Sequence, residues 1–467
     1  MTYYNKITSI IFSSLSSIVG EQNIFIDKHN LTIYGSDETE NLNFPPEVIL
    51  KPVNTDQISK IMQLASKENI PVTPIGARTG LSGGALSIYG GIGLSIEKLN
   101  NIIKIDEDNL QVIVQPGVIT QALQEEVEKI GLYYAPDPAS RGTCTIGGNI
   151  AENSGGPRAL KYGVTKDFVL NLELVLPSGE IINTGANTLK NSTGYNLTQL
   201  LVGSEGTLGI VTKATLKLLP LPKLQKLLLV PFYSSEEACR AVSSIFKAGI
   251  TPSALEFMER DAIDLTIKYL KDDALIIDND IQAHLLIEVD GNNSDVLLSD
   301  IEKIIELLEK YSCGEILFAE DQAQKDKLWR IRRLVGEAIK ACSVYKEEDT
   351  VVPRYELAKL LKGVKQIGKD FGFQSVCFGH AGDGNLHVNI LKNDMPDDKW
   401  NNDLKLAIRK IFELTVSLNG TISGEHGIGY VQKEYMDIPF KPIELDIMRE
   451  IKRIFDPHNI LNPGKIF

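Results

Sequence analysis

The residues with the clearest capacity for chemistry lie between positions 379 and 429. His380 and His387 bracket the run Gly379-His380-Ala381-Gly382-Asp383-Gly384-Asn385-Leu386-His387-Val388-Asn389. Asp383-Gly384 is a type I′ hairpin signal. If those two residues form the turn, 380 pairs with 387, and the imidazoles face each other with Cβ atoms about 5 Å apart. Asn389 follows on the same strand face. Two facing imidazoles are a ready pair of metal ligands. Glu425, in Ser423-Gly424-Glu425-His426-Gly427-Ile428-Gly429, could supply a third and leave open positions for substrate, a set that suits zinc or manganese. His426 is then left for acid–base work. Histidines that merely satisfy hydrogen bonds would explain one such residue better than three beside an acid. On a helical pattern over residues 322–341, Arg332 follows Trp329 by three positions. Its guanidinium could clamp a carboxylate with two parallel hydrogen bonds, although a solvated arginine face is the plainer reading of spacing alone. His29, His284 and His458 are given no role.

A second kind of chemistry is written in glycine. Four segments combine it with Ser, Thr and Asn: Gly76 to Gly84, Asp137 to Asn149, Asn153-Ser154-Gly155-Gly156, and Gly203-Ser204-Glu205-Gly206-Thr207-Leu208-Gly209. Glycine admits positive φ and close approach, so successive N–H groups can converge on a phosphate. Four such segments in one region favour a large phosphate-bearing cofactor. No G-x-G-x-x-G is present, which argues against a Rossmann nicotinamide site. Gly80-Leu81-Ser82-Gly83-Gly84 matches a hydrolase elbow, but no helix pattern starts at the serine. Residues 363–369 resemble a P-loop, but Asp370 follows, and a carboxylate there repels phosphate.

These residues need elements to position them. Residues 53–69 read as a helix, with Ile58, Ile61, Met62 and Ala65 at helical spacing behind a cap at Asn54 or Thr55. Residues 120–130 and 443–455 read likewise. Strands are expected over 92–96, 99–105, 111–115, 170–176, 181–184 and 210–219. The proline pair in Leu219-Pro220-Leu221-Pro222 marks a domain boundary. Beyond it strands and helices alternate as an antiparallel sheet backed by helices, with strands over 373–378 and 386–391 carrying the histidines. The fold class is α+β.

The chain's 467 residues suffice for several domains and need no disulfide or metal staple. Lys and Arg total 48 against 61 Asp and Glu, a net charge of −13 that disfavours nucleic acid and anionic lipid. The five cysteines show no C-x-x-C spacing, which excludes a zinc ribbon or an iron–sulfur cluster and fits a reducing, cytoplasmic setting. Residues 1–20 lack the apolar core of a secretory signal. No apolar run is long enough to span a bilayer; peripheral membrane contact and a homodimer stay open.

Six motifs in order carry a resemblance: PIGARTGLSGGAL from Pro74, CTIGGNIAENSGG from Cys144, GSEGTLGIVT from Gly203, GHAGDGNLHVN from Gly379, SGEHGIG from Ser423 and NPGK from Asn462. The chain resembles the FAD-dependent D-2-hydroxyacid dehydrogenases of the vanillyl-alcohol-oxidase type, over roughly residues 45–467. That resemblance implies an FAD-binding domain in two α+β pieces (1–220 and 421–467) and an inserted antiparallel-sheet cap (221–420). It implies non-covalent FAD held by Pro74, Gly76, Ala77, Arg78, Thr79, Gly80, Ser82 and Gly83 of the first motif. Asp137 and Ser140 join with Thr145, Gly148, Asn149, Asn153, Gly155 and Gly156 of the second. Glu205, Gly209 and Ile210 come from the third, and Asn462 from the last.

The resemblance further implies a divalent metal on His380, His387 and Glu425, with Arg332, Asn389, His426 and Lys346 touching substrate. His426 would be the base, and the α-hydrogen would leave as hydride to the flavin N5. Arg78 stands where relatives more often carry a small residue; it either neutralises the pyrophosphate or points outward. Lys346 is one position out of register with the lysine of D-2-hydroxyglutarate dehydrogenases. That favours a monocarboxylate, D-lactate or glycolate, over that dicarboxylate. A quinone, cytochrome or electron-transfer flavoprotein would reoxidise the flavin. A flavin subunit of a multi-protein glycolate oxidase, a D-2-hydroxyglutarate dehydrogenase, a non-redox alkyl-glycerone-phosphate synthase and a flavin-free metal-binding or anion-binding module are the alternatives.

Overall fold

The apolar spacing behind Asn54 forms the helix Thr55–Glu68, with the Asn54 side chain accepting from Gln57 N and Asn69 closing it in the left-handed region. Its buried face, Ile58, Ile61, Met62 and Ala65, packs into a core with Val48, Leu50, Val72, Ile92 and Leu94. Those residues come from strands Val48–Leu50, Ile92–Ser95 and Val72–Ile75, which pair in parallel. The computed structural model describes residues 3–271 and 277–467.

The chain divides into two compact units, one of Met1–Gly155, Gly163–Leu221 and Glu425–Phe467, the other of Gly156–Tyr162 and Pro222–Gly424. The first unit holds this sheet, to which Ile24–Phe25 adds an antiparallel edge strand, and a five-stranded antiparallel sheet in the order Ile102–Asp106, Gln111–Val114, Ile210–Lys217, Val169–Val175, Ile181–Asn183. Leu461 adds a parallel bridge beside Val72, so the last residues complete the first sheet. Leu219–Pro220, beside the proline pair, forms a short strand on Leu132–Tyr133.

The second unit is built on a seven-stranded antiparallel sheet. Its order is Leu317–Phe318, Leu224–Phe232, Ala283–Gly291, Ala254–Glu259, Gln374–Gly379, Asn385–Leu391, Tyr345–Val351. Helix Leu357–Phe371 packs against Ser235–Lys247 and Leu404–Ser417. The sequence pattern did not reveal that Gly156–Tyr162 leaves the first unit's chain to join the second. Arg158 lies 3.2 Å from Glu288, and Tyr162 Oη donates to Asp290 at 2.8 Å. No helix among the described residues is long and apolar enough to cross a membrane.

Two expectations are corrected here. Residues 322–341 form two helices, Gln322–Arg333 and Val335–Cys342, because Leu334 leaves helical geometry at φ −93°, ψ 4°. The histidine hairpin is not a two-residue turn on Asp383-Gly384. Of those two, only Gly384 has positive φ, whereas type I′ needs both. His387 pairs with Phe378, and a loop follows in which His380 O accepts from Asn385 N at 3.1 Å. The register is shifted by two residues, which preserves strand parity, so His380 and His387 still meet.

Candidate active site

In the first unit the glycine segments converge on one cavity. Pro74, Gly76, Ala77, Arg78, Thr79, Gly80, Ser140, Thr145, Gly148, Asn149, Glu205, Gly209 and Ile210 line it, and so do Glu425 and His426. A side chain at Gly80 would meet nothing within 4 Å, whereas one at Gly206, at φ +65°, would strike Pro74 Cγ at 2.7 Å. The wall is therefore bare backbone beside open space, which suits the pyrophosphate and ring of FAD. Arg78 turns its guanidinium onto the Tyr34 ring, 4.7 Å away, and onto Ile33 O.

Ser82, Gly83, Asp137, Asn153, Gly155, Gly156 and Asn462 lie outside the lining of this cavity. Ser82 O accepts from Tyr430 N, and Asn153 Oδ1 from Lys166 N. Gly156 belongs to the second unit. Asn462 Nδ2 donates to Gly84 O at 3.0 Å and Glu205 O at 2.8 Å, tying the NPGK turn to two cavity loops. Ser82, Asn153 and Asn462 thus use these atoms to tie loops to one another.

Against the loop that carries His426 lies an acid pair: Glu205, expected from the third glycine motif, and Glu152, which was not singled out from sequence. Glu205 accepts from Ile428 N at 2.8 Å and Gly429 N at 2.6 Å, fixing the loop that carries the histidine. Glycine is required at 427: its φ is +75°, and a Cβ would lie 2.1 Å from Glu152 Oε2. Burial, then the charges of Glu205 and Asp37, push the Glu152 carboxyl well above its usual range. Burial also lowers Lys465 to about 7, against the opposing charges of Glu205 and Asp37.

In the second unit one sheet face gathers the ionisable groups. The His380 and His387 rings are 5.4 Å apart, nearly perpendicular. His380 Nδ1 lies 2.9 Å from both oxygens of Glu256, and His387 Nδ1 lies 3.2 Å from Glu347 Oε1. Arg332 Nη2 is 2.7 Å from Glu256 Oε2, an ion pair whose angle is not that of an aligned hydrogen bond. Burial alone would raise the Glu256 carboxyl. The charges of His380 and Arg332 outweigh it and hold the group below the usual carboxylate range.

Asn389 is fully buried, and neither its Oδ1 nor its Nδ2 has a hydrogen-bond partner among the described residues. Arg332 Nε is likewise without one. Native interiors rarely strand such groups, and an ordered water, an ion or a polar ligand is what usually satisfies them. The donor set of two imidazoles and carboxylates fits a divalent cation of the zinc or manganese type. Asp349 accepts from Gly424 N at 2.8 Å, fixing the residue from which Glu425 and His426 follow.

Lys346 is a correction. It pairs opposite Ile390, while Glu347 pairs opposite Asn389. Alternation along the strand therefore puts Lys346 on the other sheet face, away from Asn389. Glu256, Glu347 and Asp349 were not singled out from sequence. A lone acid within Ala254-Leu255-Glu256-Phe257-Met258 was the available signal for the first.

Fold and cavity together define an FAD-binding protein of the vanillyl-alcohol-oxidase type with an antiparallel-sheet second domain. Residues 46–185 match the FAD binding domain model, and residues 221–466 match that of FAD linked oxidases, C-terminal domain. The chain is 38% identical to D-lactate dehydrogenase of Anaerostipes hadrus, across 99% of this chain and 98% of that one. It is 40% identical to glycolate oxidase subunit GlcD of Bacillus subtilis, across 99% and 97%. The structure of p-cresol methylhydroxylase superposes with a TM-score of 0.82 at 16% identity, covering 100% of this chain and 98% of that one, a likeness of fold. The chain belongs to the FAD-linked oxidase family and is an FAD-dependent oxidoreductase.

Proposed function

We propose that this flavoenzyme oxidises a small D-2-hydroxy acid to the 2-oxo acid, with a monocarboxylate of D-lactate or glycolate size as substrate. The observation that carries this reading is Asn389, fully buried with both amide atoms unpartnered among the described residues. It shares its face with His387, within the unit that buries Arg332. An amide that can both donate and accept suits a group bearing a hydroxyl and a carboxylate. Arg332 anchors the carboxylate. His426, on the wall of the flavin cavity, accepts the hydroxyl proton.

Bound FAD supplies the two-electron acceptor. A divalent cation on His380, His387 and Glu425 would add Lewis acidity toward the substrate oxygens. Glu347, beside His387 and opposite Asn389, places negative charge where a second substrate carboxylate would be repelled. The relatives named for D-lactate and glycolate oxidation agree with a small monocarboxylate. A quinone, cytochrome or electron-transfer flavoprotein takes the electrons onward.

The test is anaerobic mixing of the flavin-loaded, Zn²⁺- or Mn²⁺-supplemented protein with D-lactate, L-lactate, glycolate and D-2-hydroxyglutarate. Flavin bleaching by D-lactate or glycolate, and not by L-lactate, is expected. Bleaching by D-2-hydroxyglutarate alone overturns the monocarboxylate assignment. Bleaching by none overturns the substrate class.

A further inference from the structure

We infer that Glu256 is a positioning residue that sets both the ligand face of His380 and the aim of Arg332. The inference rests on the proposed roles of those two residues. Glu256 stands in strand Ala254–Glu259, which runs antiparallel to Gln374–Gly379 with Phe257 opposite Gly379. That register brings its side chain beside His380, just past the paired residues. It is 0% exposed, so no solvent competes for its oxygens.

Both oxygens lie 2.9 Å from His380 Nδ1. An ionised carboxylate only accepts, so Nδ1 must carry the proton. In a neutral ring, Nε2 then holds the lone pair and is the atom offered to a cation. This is the carboxylate–histidine arrangement that orients metal ligands generally. Oε2 also lies 2.7 Å from Arg332 Nη2. Arg332 is buried, at 6% exposure, and its guanidinium sits 4.8 Å from the Phe378 ring. Its Nε remains without a partner among the described residues. One carboxylate thus steadies the arginine while leaving donor capacity for an incoming anion. Cation affinity and substrate affinity are expected to change together when Glu256 is altered, although it touches neither ligand in this assignment.

A residue that merely neutralised a buried arginine would give a different pattern, with lost stability and no selective effect on cation binding. Glu256→Gln keeps the volume and an acceptor for Nδ1, but turns an N–H₂ toward Arg332 or His380. In the flavin-loaded protein it should weaken Mn²⁺ or Zn²⁺ binding 10–100-fold by chelator competition. It should raise KM about tenfold more than it lowers kcat, with flavin content unchanged. Glu256→Asp, which keeps the charge, should recover part of both effects.

Unchanged cation affinity and unchanged KM in Glu256→Gln overturn the inference. So does a fall in melting temperature with affinity and KM intact in the folded fraction. If the wild-type protein binds neither Mn²⁺ nor Zn²⁺, the metal reading fails and the His380 half of the inference fails with it. An unchanged KM in Glu256→Gln would then overturn the Arg332 half.

Discussion

The flavin cavity and the ionisable sheet face use opposite means of recognition. The cavity of the first unit is built from glycine-rich loops, with Gly76, Gly80, Gly148, Gly206 and Gly209 among the residues of its wall. The sheet face of the second unit is walled by side chains, with His380, His387, Glu256, Arg332 and Asn389 all buried. A backbone site tolerates almost any loss of charge and almost no gain of volume. A side-chain site has the reverse weakness, since His380 and Arg332 are both held by Glu256, whose loss strands buried polar groups.

His426→Ala tests the one imidazole on the backbone wall. It should leave flavin bound and slow anaerobic flavin reduction by about 10²–10⁴. Reduction at the wild-type rate in stopped flow would remove His426 as base and make the cavity purely a cofactor holder. Asn389→Leu should cost about 10²–10³ in kcat/KM, the scale of losing one aimed donor. It should also raise unfolding stability by about 1–2 kcal/mol, because two unsatisfied buried atoms disappear. A variant less stable than wild type in urea melts would mean that Asn389 has partners in the resting protein.

His284 calibrates the cost of ionisable groups in the second unit that do no chemistry. Burial, then the charge of Arg260, lowers it to about 4. Between that value and the unfolded value near 6.5, the unfolded chain binds the extra proton. Stability therefore falls as pH drops through this window, by up to about 3 kcal/mol. His284→Asn should flatten that fall in urea melts at pH 6.5 and 4.5; an equal slope in both proteins would show that the proton cost lies elsewhere. The smallest effect is expected from Gly206→Ala, where a methyl meets Pro74 at 2.7 Å. Flavin affinity should weaken about tenfold, of the order of 1.4 kcal/mol. Mn²⁺ binding should be untouched, and a matching loss of Mn²⁺ would erase the contrast between the two regions.

The same contrast explains what could be read in the sequence. A backbone site needs several glycines close together, so its segments stand out as motifs. The cavity was legible, whereas residues outside its lining, such as Asn153 and Asn462, looked the same as those within it. On the sheet face, His380 and His387 were legible because strand parity survives a two-residue shift in register. Lys346 was misplaced by one residue, and one residue is enough to change faces. Glu256 is 124 residues from the histidine it holds, and no local pattern connects them. Trp329, noted only as Arg332's neighbour, proves to donate its Nε1 to Glu288 at 3.0 Å. That pairing joins a helix to a strand 41 residues away, which local spacing does not reveal.

The closure of the cavity loops by Asn462 and Lys465 bears on how the protein is made. Asn462 reaches the Gly84 carbonyl across 378 residues, and Lys465 adds bonds to Gly84 and Leu86. At roughly 5–20 residues per second of translation, the two sides of this lock emerge about 20–80 s apart. The entire histidine-bearing sheet is synthesised in that interval. A ribosome paused before residue 462 therefore carries a nascent chain in which the Gly84 and Glu205 carbonyls have not yet met the Asn462 amide.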